Sequence, residues 1–144
     1  MFKIHCGDDI ELLSESREVF STLFIENDGV FFPAYGWTDF SVAIFECLVD
    51  YIVSALANGQ NKFSLYFEDG PWYLDVELRN NLFIFHGIDN HVDGRCVCEF
   101  SISQKDFLAE LNAAIRHLHD KLMDFKEDTF GAISRLKRML NKLN

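Results

Sequence analysis

The chain has 144 residues, 49% of them hydrophobic with 15 Phe among them, and a formal net charge of −10. That length suits one domain with a substantial core, and the apolar content is well above that of a disordered chain. Residues 1–102 hold 17 acidic and five basic side chains (net −12) and residues 103–144 six and eight (net +2), so the body repels nucleic-acid phosphates and anionic lipid and attracts basic proteins.

The opening third reads as short extended segments, "FKIHC", "IELL" and "EVFSTLFIEN", with "NDG" at 27–29 turning the chain into "VFF". Whether residues 14–26 are strand or helix stays open, because "SREVF" also suits a short helix. In "FPAYGWTDF" (32–40), Pro33 and Gly36 break the extended run. Thr38 or Asp39 is a good helix N-cap, with Trp37 and Val42 then placed as a hydrophobic staple. Phe32, Trp37 and Phe40 are expected in the core, and Tyr35 is expected to be exposed at the tip.

From there Ile44, Leu48, Ile52 and Leu56 recur every four residues, which predicts a central helix over 39–57 ended by Gly59. The run "FSVAIFECLVDYIVSALA" is its most apolar part and is interrupted by Glu46 and Asp50. It falls short of the roughly 20 apolar residues of a membrane span. The start "MFKIHCGDDIELL" lacks a cationic-then-apolar signal pattern. A cytoplasmic protein is the expectation, with Cys6, Cys47, Cys96 and Cys98 reduced and mostly buried.

"KFSLYFEDGPWYLDVELRNNLFIFHG" alternates with period two and, with "CVCEFSI", predicts a meander. Phe63, Leu65 and Phe67 share a face with Trp72, Leu74, Val76 and Leu78. The opposite face carries Ser64, Tyr66, Glu68, Tyr73, Asp75, Glu77 and Arg79 and is expected to be polar and acidic. Leu108, Leu111, Ile115, Leu118, Leu122 and Phe125 then follow helical spacing behind a Ser103 cap with Asp106 three residues on. Ile133, Leu136, Leu140 and Leu143 predict a short basic helix that carries Arg135, Lys137, Arg138 and Lys142 and closes over the acidic body.

The expected fold class is α+β: an antiparallel meander of about five to seven strands, one long central helix, and two C-terminal helices packed on one face. A single domain spans 1–144, with an acidic strand-rich body at 1–102 and a helical segment at 103–144.

Chemistry-bearing patterns are few. His86, His91, Cys96 and Cys98 have the side chains of a zinc site, but their spacing is not that of a C-x₂-C knuckle. His5 and Cys6 are neighbours on a strand and point to opposite faces, so they do not form a nucleophile–base pair. The carboxylate pairs Asp8–Asp9, Glu68–Asp69 and Glu127–Asp128 lie in polar, turn-like contexts. No phosphate loop, nucleophile elbow or metalloprotease helix is present. The expectation is a protein without catalytic, cofactor or metal residues.

"GWTDF" at 36–40 opening a long apolar helix, followed by "FEDGPWYL" at 67–74, resembles small bacterial proteins with a Trp-Asp-Phe helix start. Among these are immunity proteins that accompany polymorphic or contact-dependent toxins, and the likeness covers about residues 20–100. The resemblance implies a non-enzymatic acidic domain that covers a cognate toxin. It transfers no binding residues.

The residues themselves point to a basic protein partner bound through Tyr66, Glu68, Asp69, Tyr73, Asp75 and Glu77, which combine aromatic anchors with negative charge. Asp8, Asp9 and Glu11 form a second acidic site, and Tyr35 is an exposed aromatic. Two alternatives stand beside this reading. One is a homo-oligomeric structural or adaptor module joined through the heptad-like C-terminal helices, with monomer or homodimer left open. The other is a small metal-binding protein or enzyme using the His86–Cys98 region.

Overall fold

A computed structural model describes residues 1–144. In chain order the elements are β1 (Phe2–Cys6), β2 (Glu11–Leu13), β3 (Glu18–Asn27), β4 (Val30–Phe32), β5 (Thr38–Asp39), α1 (Ser41–Asn58), β6 (Lys62–Tyr66), β7 (Trp72–Arg79), β8 (Leu82–Asp89), β9 (Arg95–Ser103), α2 (Gln104–Met123) and α3 (Ala132–Leu143). The fold is α+β with two antiparallel sheets, one of five strands and one of four. The sequence suggested one sheet of fewer strands, because short segments that pair far along the chain leave no local signal.

The first sheet is organised by β3. Residues 14–17 form turns, and extended structure begins at Glu18. Val19, Ser21, Leu23 and Ile25 are buried on one side of β3, and Thr22 and Phe24 are buried on the other. Every other strand of this sheet runs antiparallel to it, in registers such as Phe2↔Asn27, Glu11↔Phe20, Ile25↔Phe32 and Ser21↔Asp39. The second sheet is the predicted meander, β6-β7-β8-β9. Its β7–β8 hairpin turns through Asn80 and Asn81, both at positive φ (53° and 62°), as a two-residue turn matched to strand twist requires.

Aromatic rings join the two sheets. Phe2 of β1 lies 6.0 Å from Phe85 and 5.6 Å from Phe107, and Phe32 of β4 lies 5.8 Å from both Phe67 and Trp72. The resulting core of 27 buried residues draws on both sheets and all three helices. A void of ≈ 30 Å³ among its apolar side chains is entirely hydrophobic, so it offers a water no hydrogen-bond partner.

Helix α1 starts two residues later than the sequence suggested. Thr38 and Asp39 pair with Thr22 and Ser21 of β3, and Phe40 takes the N-cap position without a side-chain cap. Trp37 therefore does not sit at the staple position; its indole meets Trp72 at 6.4 Å instead. The stop is as expected, with Gly59 left-handed at φ 67°. Ile44, Leu48 and Ile52 are buried, but Leu56 is 45% exposed. A four-residue repeat advances about 40° per step around a helix of 3.6 residues per turn, so it leaves the core face by the fourth member. By length and composition α1 could cross a membrane, yet here its apolar face is the centre of the core.

Ser103 caps α2 through a hydrogen bond from the Asp106 amide (3.1 Å), and Leu111, Ile115, Leu118 and Leu122 are fully buried. Helix α3 closes over the body, with Leu136 and Met139 buried. Arg135 donates to both oxygens of Glu46 (3.3 and 3.1 Å) and to Glu18 (3.5 Å), and Lys142 donates to Asp50 (3.1 Å). The leucine seams that could have joined two chains are thus largely occupied within one.

Candidate functional site

The outer face of the four-stranded sheet gathers Tyr66, Tyr73, Asp75 and Glu77. Register pairs Tyr66 with Tyr73, Ser64 with Asp75 and Lys62 with Glu77. The two tyrosine rings lie 5.0 Å apart, and Tyr66 is 60% exposed. Ser64 Oγ donates to Asp75 Oδ1 at 2.6 Å, which fixes that carboxylate upright. The Tyr73 phenol is pushed up by desolvation, then by Asp75 and Tyr66, so it stays a neutral donor.

This face is less acidic than its sequence suggested. His86 stands opposite Asp75 and also approaches Glu99 (3.5 Å), Arg79 approaches Glu77 (3.8 Å), and Lys62 lies across from Glu77. Lys62, Ser64, Asp75, Glu77 and His86 border an open groove of ≈ 470 Å³. Ile84 and Ile88, on the same face, are buried rather than solvated. The face combines an aromatic pair with mixed charge.

Glu68 and Asp69 are not on that face but in the turn between β6 and β7, where both are exposed. What holds the turn is Asp39, which is 0% exposed. Its Oδ1 accepts the backbone N–H of Phe40 (2.8 Å) and of Glu68 (3.2 Å). Its Oδ2 accepts Trp37 Nε1–H (2.9 Å) and the backbone N–H of Asp69 (3.2 Å). Each oxygen thus takes two donors, which offsets much of the cost of burying a carboxylate. Trp37 supports the turn from the side: a Cβ added at Gly70 would lie 2.9 Å from its Cη2. Beside this node Ser21 Oγ donates to Ser41 Oγ at 2.6 Å, tying β3 to the first residue of α1.

Asp39 was legible in the sequence only as a helix cap. A Trp two residues before an Asp, with a Glu-Asp-Gly-Pro turn further along, was the available signal. Nothing local says that these segments meet.

The second acidic group is separate. Asp8 and Asp9 are exposed in the bend after β1, and Glu11 opens β2. The Asp8 carbonyl accepts the Thr22 amide at 2.9 Å, and Asp9 is left-handed at φ 51°. Tyr35 is 78% exposed and packs on Phe31 (5.2 Å) and Phe24 (5.5 Å), forming a small aromatic surface.

The four candidate metal ligands do not converge. His86 is on the outer sheet face, and His91 is in the following loop against Trp72 and Asp89. A register shift between Gly87 and Ile88 sets Cys98 opposite Gly87 and Cys96 opposite Ile88. The two thiols therefore face opposite sides of the sheet, where an unbroken C-x-C strand would have put them on one. No group of three or more His, Cys, Asp or Glu side chains is arranged to hold a metal ion. Cys6 is buried, donates to the Ala114 carbonyl (3.2 Å), and is pushed up to about 12, first by desolvation and then by Asp8 and Glu110. Its neighbour His5 turns the other way, stacking on Phe24 (4.5 Å) and contacting Glu26 (2.8 Å).

No family model matches the chain, and no curated protein or solved structure shows significant similarity to it.

Proposed function

We propose that this chain is a non-enzymatic protein-binding inhibitor, an immunity protein that neutralises a basic, nuclease-like bacterial toxin domain in the cytoplasm. The observation that carries this reading is the outer sheet face. Tyr66 and Tyr73 form an accessible aromatic pair beside Asp75 and Glu77, next to the exposed Glu68–Asp69 turn. Aromatic anchors with a charged rim are what protein interfaces favour. A net charge of −10 steers such a surface toward a cationic partner, and steering raises encounter rates about tenfold or more at low salt.

The test is binding to a basic toxin domain encoded beside this chain, measured across a salt series. Tight binding that weakens with salt, and that is lost in Asp75→Lys with Glu77→Lys, supports the reading. Affinity unchanged in that double variant would show that the toxin uses another surface, and binding to no neighbouring toxin domain would sink the assignment.

A further inference from the structure

We propose that β6 is an open sheet edge that pairs with a second copy of this chain. The two β6 strands run antiparallel about a two-fold axis at Ser64 and join two four-stranded sheets into one. The inference goes beyond the toxin-binding reading and does not depend on it.

Every edge strand presents unpaired amides and carbonyls that a protein must cover or blunt. On the first sheet, α2 covers the outer edge of β1: Glu110 Oε1 accepts the Ile4 amide at 3.0 Å, and Cys6 Sγ donates to the Ala114 carbonyl at 3.2 Å. Strands β2, β4 and β5 are only two or three residues long. The far edge of the second sheet, β9, carries exposed Arg95 and Glu99 and is interrupted by the register shift opposite Gly87 and Ile88. Edge charges and bulges of this kind discourage pairing with another chain.

Strand β6 has none of these devices. Its sequence, KFSLY, contains no carboxylate, and its register with β7 is unbroken. Phe67 donates to the Trp72 carbonyl (3.0 Å) and Leu78 to the Asn61 carbonyl (2.8 Å), so the odd-numbered residues bond to β7. By alternation, the N–H and C=O groups of Lys62, Ser64 and Tyr66 point away from β7. No other strand pairs with β6.

Two observations favour a second copy as the occupant. The first is register. With Ser64 opposite Ser64 of the second copy, Lys62 falls opposite the second copy's Tyr66. Outward-facing residues then meet outward-facing residues, which completes about six backbone hydrogen bonds. On the inner side, Phe63 falls opposite Leu65 of the second copy. Phe63 is half-buried and stacks on Tyr51 (5.2 Å), itself 42% exposed, so the pairing covers an apolar rim.

The second is charge. Lys62 and Glu68 are both exposed, and neither forms an ion pair within the chain. In this register Glu68 of the second copy lies two residues beyond the Tyr66 that faces Lys62, the diagonal spacing that long side chains bridge. The two-fold axis makes the contact twice. Tyr73, Asp75 and Glu77 stay uncovered on the widened sheet.

The experiment is analytical ultracentrifugation of the full chain over a concentration series, with amide hydrogen exchange at both ends of the series. Moderate salt screens the repulsion between two chains of net charge −10. The expected result is a monomer–dimer equilibrium in which the amides of Lys62, Ser64 and Tyr66 gain protection as the dimer forms. Ser64→Pro should abolish the dimer, because it removes an outward N–H and leaves the ladder to β7 intact. Ser64→Ala, which loses the same hydroxyl, should keep it. Lys62→Glu should raise the dimer Kd about tenfold, since two exposed ion pairs are lost together. Adding Glu68→Lys should restore it, and these charge variants decide the matter if Ser64→Pro does not fold.

A monomer at every concentration would overturn the proposal. So would a dimer that survives Ser64→Pro, or one whose protection appears in β9 or the C-terminal helices. A Kd unmoved by Lys62→Glu would overturn the register about Ser64.

Discussion

Asp39 and Asp69 are 30 positions apart, yet the fully buried Asp39 carboxylate accepts the amide of exposed Asp69 at 3.2 Å. This one bond, with its partners at Glu68, Phe40 and Trp37, joins the strand before α1 to the turn between β6 and β7. It relates the edge of the first sheet to the edge of the second.

Asp39→Ala should therefore destabilise the protein by about 3 kcal/mol, since it strands four part-buried N–H donors at once. Asp39→Asn should cost about half as much. Urea unfolding monitored by tryptophan fluorescence would read both losses. A change below about 0.5 kcal/mol for the alanine variant would mean that water serves these donors equally well.

Gly87 is required for space rather than for conformation. A Cβ there would lie 2.6 Å from both Cys98 Sγ and Phe32 Cδ2. Gly87→Ala should cost about 2 kcal/mol, in the range of overpacked cores. Cys98→Ala should rescue only part of it, because the Phe32 ring remains in the way. Thermal melts of the two single variants and the double variant give the comparison.

The forked contact of Arg135 with Glu46, backed by Glu18, is the main polar tie of α3 to the body. Arg135→Met should cost about 2 kcal/mol by leaving two half-buried carboxylates without their donor. Arg135→Lys should not restore the loss, because an ammonium cannot satisfy both Glu46 oxygens in the same geometry. Equal stability of wild type and the lysine variant would refute the forked contact as the source.

Cys6 supplies a pH dependence with a definite sign. Its folded pKa is raised from 9.0 to about 12, so the native state keeps a proton that the unfolded chain releases. Its contribution is fully present below about pH 9 and is lost as pH rises toward 12, by about 1.4 kcal/mol per unit in that window. The slope should be shallower in Cys6→Ala, measured as the alkaline shift of the urea midpoint. In the native protein a maleimide should label exposed Cys96 readily and Cys6 only on unfolding.

Local pattern carried much of the fold. The alternation in "KFSLYF" and "WYLDVELR" placed Leu65, Phe67, Leu74 and Val76 in the core, and all four are buried. The helical spacing from Leu111 to Leu122 and the Ser103 cap were equally direct, because the side chains that decide a helix face lie three or four residues apart. Of the candidate site, Tyr66, Tyr73, Asp75 and Glu77 were legible as neighbours from strand period and hairpin register alone. Their mixed charge environment was not, because His86 and Glu99 arrive from the next two strands.

Which faces are apolar, where the turns fall and that the body is acidic were legible in the sequence, since each depends on residues close along the chain. Long-range packing sets the rest: Thr38 and Asp39 form a strand, a register shift sends Cys96 and Cys98 to opposite faces, and Asp39 binds the Glu68–Asp69 turn. The difference is one of range. Periodicity and capping are local, whereas a buried carboxylate finds its donors wherever packing brings unpaired amides within reach.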